Sequence, residues 1–450
     1  MNVTSYGAAK EVTGSCHLID TGTEKILFDC GMNQGSEEAE AKNHDAFPFD
    51  SASLDAVVLS HAHLDHTGRI PKLVKDGYRG PVYATHGTLE LVHLIWKDSL
   101  NIMKYEQKKT GKELLFDEVD IDRALSQCEG QKYRTPFAVG KSTIVLKDAG
   151  HIFGSAFIEL EHGGKRIAFS GDLGNDNVPI LQDTEPLGSA IDLLLCESTY
   201  GDRIHKDERM RKDILREYVQ RGYERGGTIM MPAFSLERTQ EILYLLDEMI
   251  EEDKSLPRFP IFLDSPMAID ALPTYNKYTE YYDTEAGEKY KKGNVFFDFR
   301  GLTITRTVEE SKKINDVRGV KMVIAGSGMM NGGRIIHHAL RYLSDPTSTL
   351  ILVGYQAKGT LGRKLEDGIK QVHIFRERID VHCHIEKINA LSAHADQEKL
   401  VRWIENGGSP PKKVCFVHGE PTVATGLAHK IKDTLRIPAY VPAYGERVDV

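Results

Sequence analysis

Ser60-His61-Ala62-His63-Leu64-Asp65-His66 places three imidazoles and one carboxylate within six consecutive positions. The apolar run Asp55-Ala56-Val57-Val58-Leu59 precedes it and reads as a buried strand. A helix-like segment, residues 67–77, follows. The cluster therefore sits at the C-terminal end of a strand, where α/β folds place their chemistry. Neutral imidazole and carboxylate are ligands that zinc, manganese or iron accept. The plain alternative is a polar turn with solvated histidines, and the density of ligand atoms argues against it. One such cluster supplies only part of a metal site.

Other strand-like runs end in residues of the same kind. Residues 142–146 lead to Lys147-Asp148-Ala149-Gly150-His151, and residues 166–169 to Ser170-Gly171-Asp172. Leu193-Leu194-Leu195-Cys196 ends in Glu197, and residues 413–417 in His418-Gly419-Glu420. Ala390-Leu391-Ser392-Ala393-His394-Ala395-Asp396 stands ahead of a helix at residues 397–406. A lone His or Asp after a strand is usually a cap or turn residue. Together, His61, His63, Asp65, His66, His151, Asp172 and His418 are too many for one tetrahedral ion. They suit two ions sharing a carboxylate, with Asp172 as the natural bridge. Two metals roughly 3.5–4 Å apart activate water and stabilise entering and leaving oxygens. That is machinery for hydrolysing a phosphodiester, acyl or amide bond.

A chain of 450 residues has room for two or three domains. Its 40% hydrophobic and 27% charged residues are those of an ordinary globular protein. No apolar run approaches the roughly 20 residues of a membrane span, so no membrane role is expected. The N-terminus lacks the basic and apolar regions of a secretory signal. The six cysteines form no CxxC pair, which argues against a zinc ribbon and for a reduced, cytoplasmic setting. Cys30, Cys196 and Cys415 read as small buried hydrophobes. The net charge of −9 weighs against a non-specific polyanion binder but allows a local basic groove. His44, His86, His93, His162, His205, His373 and His429 read as surface or packing residues.

Short strands at residues 3–7, 16–20 and 25–29 form a meander. Helices are expected at 88–109 and 117–128. The style changes near residue 205. A helix at 209–223 is followed by strands at 228–234, 260–263, 322–325 and 349–354, alternating with helices at 237–251 and 334–343. That alternation implies a parallel, Rossmann-like sheet in a domain spanning residues 206–372. Residues 373–450 return to the first style, with strands at 381–385 and 413–417. The glycine-rich loop 326–333, between a strand and a helix, offers backbone N–H groups to phosphate. Gly326, Ser327 and Gly328, with Ser235, Arg334 and Arg238, are candidate phosphate contacts; a structural turn is an equal reading of the loop alone. His337-His338 reads as a packing pair, and His382 and His384 as structural.

The string His61-x-His63-x-Asp65-His66, followed by His151, Asp172 and a late His418, resembles the metallo-β-lactamase superfamily. Glu197 in Glu-Ser-Thr-Tyr-Gly, His394 in Ser-Ala-His-Ala-Asp and His418 in Val-His-Gly-Glu resemble the three further motifs of its β-CASP subfamily, which contains RNA and DNA nucleases. The resemblance covers essentially the whole chain. It is closest to short bacterial and archaeal members without added terminal domains. It implies an αββα sandwich (residues 1–205 and 373–450) with a Rossmann-like β-CASP domain inserted at 206–372. It implies two zinc ions, with manganese as the substitute. One would be held by His61, His63, His151 and Asp172. The other would be held by Asp65, His66, Asp172 and His418. Asp29 and Glu197 would orient ligands or His394. His394 would assist the leaving oxygen, with Asp65 and Glu197 beside it in the catalytic group. The implied activity is hydrolysis of single-stranded RNA, endonucleolytic in mode, by a protein for which a homodimer is the candidate assembly. The rival readings are a small-molecule hydrolase of the same superfamily and a non-catalytic RNA-binding scaffold.

Overall fold

The computed structural model describes all residues except 206–209, 295, 355, 358 and 389. The chain divides into two compact units. The first comprises residues 1–176, 183–204 and 394–450, and the second residues 177–182 and 205–393.

Two seven-stranded sheets form the first unit. One runs in the order Arg447–Asp449, Asn2–Ser5, His17–Asp20, Lys25–Phe28, Ala56–Val58, Val82–Thr85, Cys128–Gln131. The other runs Ala439–Tyr440, Val414–Val417, Leu193–Glu197, Lys165–Phe169, Ala156–His162, Ser142–Asp148, Phe137–Val139. Each sheet is antiparallel at one end and parallel at the other. Strand periodicity decides what each face meets. Ile167, Phe169, Leu193, Leu195, Cys415 and Val417 face the first sheet and pack with Ile26, Phe28 and Val58. The intervening Ala168, Leu194, Cys196, Val414 and Phe416 face outward. They are covered by Leu400, Trp403 and Ile404 of helix Gln397–Glu405 and Leu427 and Ile431 of helix Pro421–Leu435. The long helix His86–Thr110 packs beside the strands Val82–Thr85 and Cys128–Gln131. Its Trp96 indole donates to the Thr67 carbonyl, which ties it to the helix carrying Asp65 and His66. The layers are those of the αββα sandwich.

The second unit holds a six-stranded, all-parallel sheet. Its order is Leu302–Ile304, Ile261–Leu263, Lys321–Ala325, Thr228–Pro232, Thr349–Val353, His384–Ile388. A simple dinucleotide-binding sheet would keep its first and second strands adjacent. Here the strand Lys321–Ala325 lies between them. The loops after three neighbouring strands, at Ser235, Ser265 and Gly326, therefore meet at one sheet edge.

Four differences from the sequence reading lie in the second unit. The return to the first unit comes after Ala393 rather than at residue 373, because His384–Ile388 pairs with Thr349–Val353 as the last strand of the second sheet. The expected strand at 381–385 is thus displaced, and an antiparallel hairpin, Gln371–Ile374 with Glu377–Asp380, precedes it. The helix expected at 237–251 is α-helical over Arg238–Asp247 and closes as a π-helical turn, Glu248–Glu252. The helix read from residue 209 is described as Arg211–Arg225, and Arg209 itself lies outside the described residues.

Asp264, at the end of Ile261–Leu263, clamps the second unit. Its carboxylate accepts hydrogen bonds from Thr305 Oγ1 (2.7 Å), Ser311 Oγ (2.7 Å) and Arg334 Nη1 (2.7 Å), and lies 2.8 Å from His338 Nε2. Burial pushes its carboxyl up, but these hydrogen bonds, led by His338, outweigh burial and hold it down at about 2. A depressed carboxyl stabilises the fold above its unfolded value, about 3.9, and that stability drains as pH falls toward 2. Replacing Asp264 by Ala strands buried partners at a cost on the order of 3 kcal/mol. Urea denaturation at pH 7 should register that loss, and the gap between wild type and Asp264→Ala should narrow between pH 4 and pH 2.

Candidate metal centre

Five strand ends of the first unit deliver the polar cluster. Ala56–Val58 leads to His61, Ser142–Asp148 to His151 and Lys165–Phe169 to Asp172; Leu193–Glu197 ends in Glu197, and Val414–Val417 is followed by His418. All seven side chains read as ligands converge. His61 Nε2 and His63 Nδ1 are 3.0 Å apart, and His151 Nε2 lies 3.3 Å from His63 Nδ1. Asp172 Oδ2 stands 3.6 Å from His61 Nε2, 3.6 Å from His151 Nε2 and 3.4 Å from His66 Nε2. Asp172 Oδ1 faces His418 Nδ1 at 3.6 Å. His418 Nε2 is 3.1 Å from His66 Nε2 and 3.4 Å from Asp65 Oδ2.

Among the described residues, two sets have ligand atoms close enough for one ion each. They are His61, His63, His151 and Asp172, and Asp65, His66 and His418. A third set, Asp172, Glu197 and His418, overlaps both. The chemistry of the cluster fits cations. Asp172 Oδ1 is buried without a hydrogen-bond partner, a costly state that a positive ion relieves. Burial pulls His63 down to about 4 and His61 well below the usual imidazole range, so their lone pairs are available at neutral pH. Zinc suits such a nitrogen–oxygen donor set.

Asp29 lies behind the ligands, at a φ of 57°. Its Oδ2 is 2.7 Å from His66 Nδ1 and accepts from Ser60 Oγ (2.9 Å) and Ser15 Oγ (3.1 Å). Its Oδ1 accepts the Ser60 N–H at 2.8 Å. This carboxylate holds a proton on His66 Nδ1 and turns Nε2 toward the cluster, as carboxylates behind metal-binding histidines do. Ser60 also reaches His61 Nδ1 at 3.0 Å, and Thr199 Oγ1 reaches His418 Nδ1 at 3.2 Å. Neither contact was read from the sequence, although Ser60 opens the decisive stretch. Glu197 Oε1 accepts the Leu173 N–H at 2.6 Å, while Oε2 stands 3.4 Å from His394 Nδ1. His394 is also 3.8 Å from Asp172 Oδ2 and packs against the His151 ring at 4.6 Å between centroids. Burial lowers its pKa, but the carboxylates of Glu197 and Asp172 outweigh this and raise it to about 9.

Close backbone approach demands two glycines. A Cβ on Gly174 would sit 1.6 Å from the Gly150 carbonyl oxygen, beside His151, and one on Gly31 would sit 1.5 Å from the Asp65 carbonyl oxygen. These contacts pack the ligand loops against each other.

The candidate phosphate contacts lie in the second unit. Ser235 Oγ and Ser265 Oγ are 3.1 Å apart, and a Cβ at Gly326 would be 3.5 Å from each. Ser327 and the loop around it spend many donors internally: Ser327 N–H bonds the Gly332 carbonyl, Met330 N–H the Ser327 carbonyl, and Asn331 N–H Ser327 Oγ. Gly328 lies under the Phe234 ring, and its carbonyl accepts from Gln356 Nε2. Arg334 gives Nη1 to Asp264 and the Thr305 carbonyl and Nη2 to the Arg306 carbonyl, so its fork is largely committed to the fold. Arg238 pairs with Glu241 inside the core. His338 is a packing residue, and the exposed His382 and His384 join no ligand group.

A β-lactamase superfamily domain profile matches residues 24–214, a Beta-Casp domain profile residues 239–365, and a profile described as a Zn-dependent metallo-hydrolase RNA specificity domain residues 378–442. Ribonuclease TTHA0252 of Thermus thermophilus is 40% identical, covering 93% of this chain and 93% of that protein. The chain belongs to the β-CASP branch of the metallo-β-lactamase superfamily. An RNase J-like protein of Methanocaldococcus jannaschii is 32% identical over 98% of this chain and 97% of its own. Transcription termination factor FttA of the same organism is 31% identical over 98% of this chain and 70% of its own. A crystal structure of a protein of unknown function from Enterococcus faecalis V583 shares the fold, with a TM-score of 0.58 at 13% identity, covering 100% of this chain and 99% of that one. Among the described residues, no helix is long and apolar enough to cross a membrane.

Asp29→Ala removes the group that turns His66. Zinc affinity should fall about 10–100-fold, measured by competition against a chromophoric chelator. An unchanged affinity would remove the orienting role from Asp29.

Proposed function

We propose that this protein is a zinc-dependent ribonuclease that cuts single-stranded RNA internally, leaving 5′-phosphate and 3′-hydroxyl ends. The observation that carries the reading is Asp172, whose two oxygens face two separate ligand groups, with His394 standing alongside. That arrangement suits two ions sharing one carboxylate. The names of the relatives and the RNA specificity domain profile support RNA as the substrate.

In this reading His61, His63, His151 and Asp172 hold one ion, and Asp65, His66, Asp172 and His418 the other. Bound zinc supplies Lewis acidity toward a phosphoryl oxygen and lowers the pKa of water to near neutrality. The side chains do the rest. Glu197 Oε2 steadies the proton on His394 Nδ1, 3.4 Å away. The His394 ring is then free to present Nε2 toward solvent, because the side chain keeps 22% of its surface exposed. From Nε2 a proton passes to the departing 3′-oxygen, which is general acid catalysis by a histidine. Gly326, Ser235 and Ser265, in the second unit, form a candidate cradle for a phosphate of the RNA. Six free cysteines, five of them buried, fit a reducing cytoplasm.

The test is end-labelled RNA incubated with zinc-loaded protein. Internal cuts that vanish with chelator and return with zinc are expected, whereas mononucleotide products would replace endonucleolytic by exonucleolytic action. His394→Ala should lower kcat by about 100-fold or more at unchanged zinc content. Full turnover in that variant would end the acid role assigned to His394.

A further inference from the structure

The hairpin Gln371–Ile374 and Glu377–Asp380 plays no part in the metal centre. Its alternation is clean. Val372, Ile374 and Ile379 point into the core of the second unit, while His373 and Arg378 pair across the opposite, exposed face. The turn between the strands is the anomaly. Phe375 and Arg376 have φ values of 49° and 72°, the left-handed pair that a two-residue hairpin turn needs and that glycine or asparagine normally supplies. A phenylalanine and an arginine are held there instead. Phe375 leaves 58% of its surface in solvent. Its ring lies beside the exposed His337 ring, 4.9 Å between centroids with the planes 37° apart.

The tip chemistry points to an occupant. The chain as a whole carries −9. On this hairpin Arg376 and Arg378 are exposed beside the exposed carboxylates Glu377 and Asp380, and no ion pair among the described residues engages either guanidinium. An exposed aromatic ring with guanidinium groups beside it is a combination by which proteins hold single-stranded nucleic acid: bases stack on the ring and phosphates meet the cations. The RNA specificity domain profile begins at residue 378, on the second strand of this hairpin.

We infer that the hairpin is a stacking platform for single-stranded RNA, with a base on the Phe375–His337 surface and backbone phosphates on Arg376 and Arg378. The inference rests on the ribonuclease reading and assigns part of substrate binding to a surface outside the metal ligands. It also accounts for the turn: the left-handed conformation at Phe375 and Arg376 projects ring and cation at the hairpin tip.

The test measures binding of fluorescein-labelled, cleavage-resistant phosphorothioate single-stranded RNA to the full-length protein. Phe375→Ala should weaken binding about tenfold or more. Phe375→Trp should retain affinity, with its indole emission quenched when RNA binds. Arg376→Gly supplies the residue that the turn prefers, so it should melt no lower than wild type and yet bind RNA less tightly. Arg376→Gln should reduce the slope of log affinity against log salt by about 0.7, one single-strand phosphate contact. Wild-type affinity in both Phe375→Ala and Arg376→Gly overturns the platform. A wild-type protein that cuts no RNA and binds none overturns the ribonuclease reading itself, so the two failures are distinguishable.

Discussion

Asp172 is the constraint on which the rest of the first unit depends. A buried carboxylate surrounded by five imidazoles is stable only if charge is balanced at close range. The fold meets that demand geometrically. It ends strands from both sheets at one edge, so polar side chains far apart in the chain arrive on one carboxylate. The loops must then pack backbone against backbone, which is why glycine stands at positions 31 and 174. Asp29, Ser60, Thr199 and Glu197 are the outer layer of the same arrangement. Each fixes a ring or a loop that Asp172 alone could not orient.

The second unit solves a different problem with a similar device. Asp264 gathers Thr305, Ser311, Arg334 and His338 from three segments of the unit. Its partners are donors that cannot all leave, so it works as a structural clamp rather than a reactive centre. The cost is that Arg334 loses most of its freedom. The benefit is a fixed edge where Ser235, Ser265 and Gly326 come together.

The convergence of the polar side chains around Asp172 was legible because the runs before them are apolar, and a run of that kind reads as a strand delivering its last residue to a common edge. The sandwich was implied by the family resemblance, and the runs agree with it: Leu193 to Cys196 and Val414 to Val417 are apolar at every position because they are buried on both faces. Less was legible where pairing decides the outcome. Nothing local says that Lys321–Ala325 wedges between two earlier strands. The hairpin at 371–380 was missed because its turn has Phe375 and Arg376 where a turn signal would have glycine or asparagine. The strand His384–Ile388 was misplaced because the exposed His382 and His384 alternate with the buried Val381 and Cys383 like a solvated strand, whereas the sheet-edge strand begins only at His384. Arg334 looked free because a sequence shows a cation and not the carboxylate, distant in the chain, that binds it.

The position of Val414–Val417 has a consequence in time. This strand lies between Leu193–Glu197 and Ala439–Tyr440 and carries His418. During synthesis His61, His63 and His151 emerge early, but the cluster around Asp172 stays incomplete until this strand has been made and has inserted beside one more than 200 residues before it. Whatever chemistry needs His418 beside Asp172 therefore waits on a long-range strand pairing rather than on any local folding step.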